Sequence, residues 1–431
     1  MSKFEEVSST AFNTDHYELT NLQSAEVSGV ANKKCVFEVF ARQLPVGRQY
    51  GVVCGIDRII EALKHFTFTE AHLEWLAQNH IGNPFLYNEL KNKQFQGDIY
   101  GYREGELYFP YSPILTIEST FTQAIVLETL FLSILNWDSG IASTAARMVS
   151  AAKGKSLLEF GSRRTHESSA IDAARAAYIA GFNATSNLAA SKRYAVPTSG
   201  TAAHCFTLAH EHEIDAFRAQ VEALGVNTTL LVDTYDTEHG IRNAIKAAGP
   251  KLGGIRIDSG DFTVWIPRAR KLLNRLGAFN TKIIISGELD EKKIAEYSDL
   301  PVDGFGVGTK LFFPDQNPSP GFVYKLVEIE GRPVAKKAEG KQNRGGRKYA
   351  YRMLNKTGQA IGEQIELSPL SHSGNARFLQ TQLVKSGRIL QRPSIAEIRR
   401  FHQEVKSELL PKYLSLEPSS PAFIGKPQEV L

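Results

Sequence analysis

The chain has 431 residues, enough for two or three domains at the usual ~100–200 residues each. Its 42% hydrophobic and 22% charged residues are ordinary globular usage and exclude wholesale disorder. Fifty Lys and Arg against 46 Asp and Glu leave a formal charge of +4, which gives nucleic acid no global basic field and leaves a local anion site open.

The three cysteines, Cys35, Cys54 and Cys205, form no CxxC pair, so neither a disulfide framework nor a zinc ribbon is supported. Such usage points to a reducing compartment. The opening MSKFEEVSST lacks the apolar core of a secretory signal. The most apolar run, IVLETLFLSIL, is interrupted by Glu128 and falls short of the ~20 residues a membrane helix needs. The expectation is a soluble cytoplasmic protein that binds neither membrane nor nucleic acid.

In chain order, KCVFEVFA (34–41) reads as a strand, followed by the turn-like LPVGRQYG. GIDRIIEALKHF reads as a helix with Ile56, Ile59, Ile60 and Leu63 on one face. TEAHLEWLAQNH begins with Thr69 as N-cap. His72 stands where a capping box has a carboxylate or amide, which predicts a partial cap. GDIYGYREGELYFPYSPILTIE alternates and breaks like antiparallel strands, and residues 120–150 read as two buried helices.

The middle third has a different rhythm. Short apolar runs end in polar or glycine residues and are followed by helical stretches: LLEFGSR (157–163), the segment around FNATSN (182–187), AVPTSGTAAH (195–204), LLVDTYD (230–236), GGIRIDSGD (253–261), KIIISGE (282–288) and DGFGVGT (303–309). A period of about 25–30 residues is that of βα units on a parallel sheet. Seven units predict an α/β protein with a closed or nearly closed barrel, an open doubly wound sheet being the alternative. In a barrel these strand ends meet on the active-site face, gathering Arg163, Ser186, His204, Asp233, Arg256, Asp258, Gly287 and Gly308. The last third opens with a hairpin, FVYKLVEIEGRPVAKKAEG. It continues through basic GKQNRGGRK, a solvated loop or a lid over phosphates, and carries an amphipathic helix over 394–412.

Several strand-end residues suit anionic substrates. The glycine-bearing ends IIISGELDE and GFGVGTKL come last among the units, where barrels commonly hold phosphate, although GVGTK lacks P-loop spacing. Asp233 and Asp258 can bind ribose hydroxyls or Mg²⁺ held by a diphosphate. Arg256 lies two residues before Asp258 and so points the same way. It needs an anion, or a purely structural carboxylate pair. His204 follows SGTAA, with no second ligand at zinc spacing.

The runs FNTDHYELT, LEFGSRRTHESSAIDAARAAYIAGFNATSN, SGTAAHCF, VDTYDT, GIRIDSGD, ISGELDE and DGFGVGT together resemble nicotinate phosphoribosyltransferases, in order and spacing over residues 11–350. The resemblance implies the irregular α/β barrel of type II phosphoribosyltransferases over 136–324. It also implies a second α+β domain of 1–135 joined by 325–431, and a head-to-tail homodimer with shared active sites. It implies that nicotinate displaces pyrophosphate from phosphoribosyl pyrophosphate, giving nicotinate mononucleotide for NAD salvage. ATP would be a co-substrate, its γ-phosphoryl group passing to His204. Phe160 and the partner subunit's Tyr17 would sandwich the pyridine, with Arg163 near its carboxylate. Arg256 would meet phosphate, Asp258 the ribose hydroxyls, and Asp233 and Asp258 would help hold Mg²⁺. Ser286, Gly287, Gly306, Gly308 and Thr309 would cradle the 5′-phosphate, and Arg42 would reach phosphate across the dimer.

One position bears on the choice of pyridine, and a second departs from the family pattern. Ser186 falls where the nicotinamide enzyme carries an aspartate. A serine hydroxyl can donate to a carboxylate, unless Ser186 merely caps the helix that follows. Ala203 stands where that enzyme has a glutamate before its phosphorylated histidine. Competing readings are nicotinamide or quinolinate phosphoribosyltransferase, or an inactive barrel homologue. The quinolinate reaction must bind two carboxylates and needs no ATP, so His204 and this longer chain disfavour it, and an inactive homologue is expected to have lost strand-end residues.

Overall fold

In the computed structural model, which describes residues 9–91, 93–315, 317–336, 344–371, 374–390, 392–417 and 419–425, the chain divides into two units. One is formed by Met1–Gly140, Ser319–Tyr413 and Glu417–Leu431, the other by Ile141–Pro318 with Leu414–Leu416. The division falls inside the helix Glu128–Ala151.

The second unit holds six parallel strands among the described residues: β1 (Ser156–Glu159), β2 (Ala184–Thr185), β3 (Thr229–Leu231), β4 (Gly254–Ile257), β5 (Lys282–Gly287) and β6 (Gly304–Val307). They pair in the order β2-β1-β6-β5-β4-β3. Every strand but one junction lies beside its chain neighbour, and the first pairs with the last: Gly306 opposite Leu158 and Val307 opposite Glu159. This is the order of a ring cut at one place. The cut lies between β2 and β3, where the seventh predicted unit should stand. That segment, 195–204, forms no strand. It makes a single parallel bridge, Thr185 to Thr198, held by Thr185 N to Pro197 O and Ser199 N to Thr185 O, each at 2.9 Å. Pro197 has no amide to donate to a ladder, and glycine and small residues follow it.

Alternation explains why the polar residues gather. Ile255, Ile257, Ile283, Ile285, Phe305 and Val307 have no exposed surface. Their neighbours Arg256, Ile284, Ser286, Gly304 and Gly306 therefore point to the opposite, inner side of the sheet.

In the first unit a seven-stranded antiparallel sheet runs in the order Arg332–Pro333, Phe322–Ile329, Lys34–Ala41, Leu115–Thr120, Asp98–Tyr102, Gln380–Lys385, Arg388–Ile389. The predicted hairpin turns at Glu330 and Gly331, with Ile329 opposite Arg332. Residues 120–150 form two helices, Phe121–Ile125 and Glu128–Ala151. The span Phe121–Ala151 is long and apolar enough to cross a membrane. Leu127, Phe131, Leu135, Ala142, Ala145 and Met148 have no exposed surface, as in a core helix.

Two local expectations change. The Thr69 cap is complete: Thr69 Oγ1 accepts from His72 N and His72 Nδ1 accepts from Thr69 N, each at 3.4 Å. Burial lowers the His72 pKa, and the neutral imidazole then supplies the acceptor that a carboxylate otherwise would. Of the basic segment 340–348, residues 340–343 lie outside the described residues. Arg347 pairs with Glu118, and Lys348 Nζ lies 2.6 Å from Glu38 with both side chains almost fully buried. These two cations tie the segment to the sheet, so they do not belong to a lid over phosphates.

The helix Ile395–Ser407 buries His402, whose Nδ1 lies 2.8 Å from Gly105 O while Nε2 has no partner. Burial pushes its pKa down to about 4 against 6.5 for a free imidazole. The nearby Lys406 and Arg399 push the same way, and Gly105 and Glu106 oppose. Between these two pH values the unfolded chain binds the extra proton, so stability falls as pH falls, by on the order of 3 kcal/mol. Urea titrations at pH 7 and 4.5 should show this loss, and His402→Gln should flatten it. An unchanged slope in the variant would assign the titration to another group.

Candidate active site

Two carboxylates at adjacent strand ends organise the inner face. Asp233, after β3, accepts through Oδ2 from Asp258 N at 2.9 Å and Ser259 Oγ at 2.7 Å. Its other oxygen, Oδ1, is buried without a hydrogen-bond partner. Asp258, after β4, accepts through Oδ1 from the Ser286 hydroxyl of β5. Its Oδ2 lies 3.9 Å from His204 Nε2, and His204 Nδ1 lies 3.1 Å from Thr234 Oγ1. His204 opens the short helix His204–Leu208 immediately after the cut in the ring.

Arg256 shares this face. Its Nη1 donates to the Thr201 hydroxyl, and its Nε is buried without a partner. Burial pushes its pKa down; Asp258 and Asp233 oppose that, and Arg163 reinforces it. Among the described residues Arg256 makes no ion pair, so a purely structural Arg256–Asp258 pair does not account for it. A buried guanidinium with a neutral partner and an idle N–H is suited to an incoming anion.

Phe160 completes the constellation, its ring 6.0 Å from the Arg256 guanidinium. The ring seats on Gly306, where a Cβ would come within 2.6 Å of Phe160 and 2.9 Å of Ser286. Any other residue there would displace the ring. Gly287 has φ +138, a conformation side chains rarely adopt.

The residues predicted to cradle phosphate differ in what they hold. Ser286 is 4% exposed and directs its hydroxyl to Asp258, and Gly306 is filled over by Phe160. Thr309 Oγ1 donates to Glu288 Oε1 at 2.9 Å. Gly287 and Gly308 remain half-exposed at the ends of β5 and β6. Ser186 is exposed, and the helix Leu188–Tyr194 is capped by Asn187, whose Oδ1 accepts from Ala190 N at 2.9 Å. Ser186 is therefore not the cap. Arg163 is exposed on the turn Ser162–Arg164.

Tyr17 and Arg42 belong to the other unit. Tyr17 lies on the helix His16–Val27, 44% exposed. Burial and the charges of Glu128 and Glu18 raise its pKa, so the phenol keeps its proton. The Arg42 guanidinium lies 6.0 Å from the Phe40 ring, and its Nε is buried without a partner.

Sequence reasoning missed Thr201, Thr234 and Glu159. Thr201 and Thr234 carry no distinctive signal beyond adjacency to His204 and Asp233. Glu159 does: it is an acid at the end of an apolar strand run. A divalent cation would find two carboxylates here, since among the described residues no group of three or more His, Cys, Asp or Glu is placed to hold a metal. The idle, buried Asp233 Oδ1 fits an ion that brings most of its ligands with it, as Mg²⁺ on a diphosphate does.

Two family models match the chain, one described as the nicotinate phosphoribosyltransferase N-terminal domain over residues 12–136, the other as the nicotinate phosphoribosyltransferase family over 155–364. A nicotinate phosphoribosyltransferase of Mycobacterium tuberculosis is 50% identical over 420 residues, covering 95% of this chain and 93% of that protein. One from Bacillus subtilis is 37% identical, covering 83% and 76%. Among solved structures, the human nicotinic acid phosphoribosyltransferase superposes with a TM-score of 0.84 at 24% identity, covering 96% and 98% of the two chains, a likeness of fold. A nicotinate-nucleotide pyrophosphorylase from Pyrococcus furiosus superposes with 0.78 at 28% identity, covering 95% and 99%.

Proposed function

The chain belongs to the nicotinate phosphoribosyltransferase family, and from that premise we propose that it joins nicotinate to phosphoribosyl pyrophosphate in a cytoplasmic step of NAD salvage. The observation that carries this reading is the strand-end set of Arg256, Asp258 and His204 on one face. There a buried cation lacks an anion and a carboxylate faces an imidazole.

In this reaction the pyridine nitrogen forms a bond to C1 of the ribosyl group while the bond from C1 to the diphosphate breaks. Positive charge grows on the ribose and negative charge on the leaving group. Asp258, held by Ser286, faces the first, and Arg256, with its idle Nε, faces the second. No proton leaves the pyridine nitrogen, so the lack of a dedicated acid–base pair agrees with this chemistry. Phe160 covers one face of the ring, and Arg163 and Ser186 meet its carboxylate. Gly287 and Gly308 admit the 5′-phosphate at the ends of β5 and β6. Asp233 and Asp258 would hold Mg²⁺, which neutralises charge on the leaving diphosphate.

ATP enters through His204. A ring nitrogen forms a bond to the γ-phosphorus as the bridging P–O bond breaks and ADP departs. Water later cleaves the phosphohistidine. The working unit in this reading is a homodimer, with Tyr17 entering the partner's site.

Product analysis is the test. Purified protein given phosphoribosyl pyrophosphate and Mg²⁺ should convert nicotinate to its mononucleotide far better than nicotinamide or quinolinate, and ATP should enhance the yield. Preferred conversion of quinolinate, with carbon dioxide release and indifference to ATP, would overturn the reading.

A further inference from the structure

Glu159 closes β1 and takes no part in the chemistry above. It has no exposed surface, and among the described residues no Lys, Arg or His neutralises it. Its Oε1 accepts from Gly161 N at 2.5 Å, and its Oε2 accepts from the Thr185 hydroxyl. The Thr185 oxygen in turn accepts from Asn187 N at 3.0 Å, and Asn187 Nδ2 donates to Ser162 Oγ at 3.0 Å. The main-chain oxygen of Glu159 accepts from Ser186 N at 2.9 Å. These bonds close a circuit between the turn after β1 and the turn after β2.

A leucine or valine would fill this position without burying a carboxyl group, so the strand's own stability gives no reason for an acid. The two turns do. One bears Phe160 and Arg163, and the other bears Ser186. We propose that Glu159 is a positioning residue that sets the width of the pyridine pocket by tying residues 160–163 to Thr185 and Ser186. This rests on the proposed function, which places those three side chains around nicotinate.

The clamp acts on one substrate more than the other. The pyridine and its carboxylate are met by the β1 and β2 turns. Arg256, Asp258 and Gly287, which meet the phosphoribosyl group, stand on β4 and β5. Loosening the clamp therefore moves the nicotinate contacts most, and reaches the phosphoribosyl contacts only through Gly308, where a Cβ would lie 3.6 Å from Phe160 O, and through the Phe160 ring 6.0 Å from Arg256. A misplacement of ~1 Å is enough to cost about 100-fold.

The experiment compares KM for each substrate, with kcat, in Glu159→Ala, Thr185→Val and Glu159→Gln. Glu159→Ala should raise KM for nicotinate by about 10-fold to 100-fold, and KM for phosphoribosyl pyrophosphate by no more than about threefold. Thr185→Val, which removes one strut and keeps the volume, should split the two constants the same way by a smaller factor. It decides the matter if Glu159→Ala does not fold. Glu159→Gln keeps an acceptor for Gly161 and offers its amide to Thr185, so it should restore KM to near the parent value. Equal changes in both constants, or an unchanged KM for nicotinate, would overturn the clamp. The pocket assignment is tested apart by Arg163→Ala in the same assay. If that variant leaves KM for nicotinate unchanged, or if the parent protein makes no nicotinate mononucleotide, the proposed function fails. If both behave as expected and the clamp variants show no split, Glu159 alone is misassigned.

Discussion

His204→Ala should incorporate no phosphate from γ-labelled ATP and hydrolyse no ATP, while still making some nicotinate mononucleotide at high substrate concentration. The expectation rests on where the imidazole stands. Its Nε2 faces Asp258 at 3.9 Å and its Nδ1 faces Thr234 at 3.1 Å, so both ring nitrogens lie against the carboxylate face that the phosphoribosyl group would occupy. On the proposed reading, a phosphoryl group added there would place new negative charge beside Asp258, and ATP would alter substrate binding by that route. The residual activity follows because the alanine variant keeps Arg256, Asp258 and the glycine-bearing strand ends. His210 is the natural control: its Nδ1 lies 2.8 Å from Phe206 O on the exposed side of the same helix region. His210→Ala should still take up label. Acid-labile protein phosphate in His204→Ala would assign the phosphorylated group elsewhere.

The sequence was most legible where one periodicity prevailed. The strand 34–41, the helix beginning at Ile56 and the alternating segments within 97–118 are local patterns, and the structure has Lys34–Ala41, Ile56–Lys64, Asp98–Tyr102 and Leu115–Thr120. The βα rhythm likewise implied the parallel ring. The gap in that ring was not legible, because AVPTSGTAAH has the composition of a short strand end and only its geometry shows a lone bridge at Thr198. The site shows the same division. Charged residues at strand ends announce themselves, but the direction of a hydroxyl does not. Nothing local in the sequence shows that the Ser286 and Thr309 hydroxyls donate to Asp258 and Glu288. Nor does it show that the missing Cβ of Gly306 makes room for Phe160. Each depends on a neighbour distant in sequence, which no local pattern encodes.

Asp258→Asn should lower kcat/KM for nicotinate by about 100-fold to 10,000-fold with little change in thermal stability, the range expected when a preorganised charge at the reacting centre is removed. The amide oxygen can still accept from Ser286, so the side chain stays where it is and the loss reports charge more than position. Three effects add. On the proposed reading the ribosyl cation would lose a nearby anion, His204 would lose the carboxylate facing Nε2, and the pair with Asp233 would lose half its charge for Mg²⁺. Ser286→Ala separates charge from placement. It leaves the carboxylate ionised and removes the hydroxyl that aims it, so a loss of about tenfold is expected, equivalent to ~1.4 kcal/mol, the size of one hydrogen bond to a charged group. Asp233→Asn likewise keeps an oxygen that can accept from Asp258 N and Ser259 Oγ, so the turn after β4 should hold and the loss should again report charge. Steady-state kinetics of the three variants, with melting temperatures measured alongside, would rank them. If Asp258→Asn keeps kcat/KM within threefold of the parent, the carboxylate does not act on the reacting ribose, and the strand-end set would have to work through Arg256 and His204 alone.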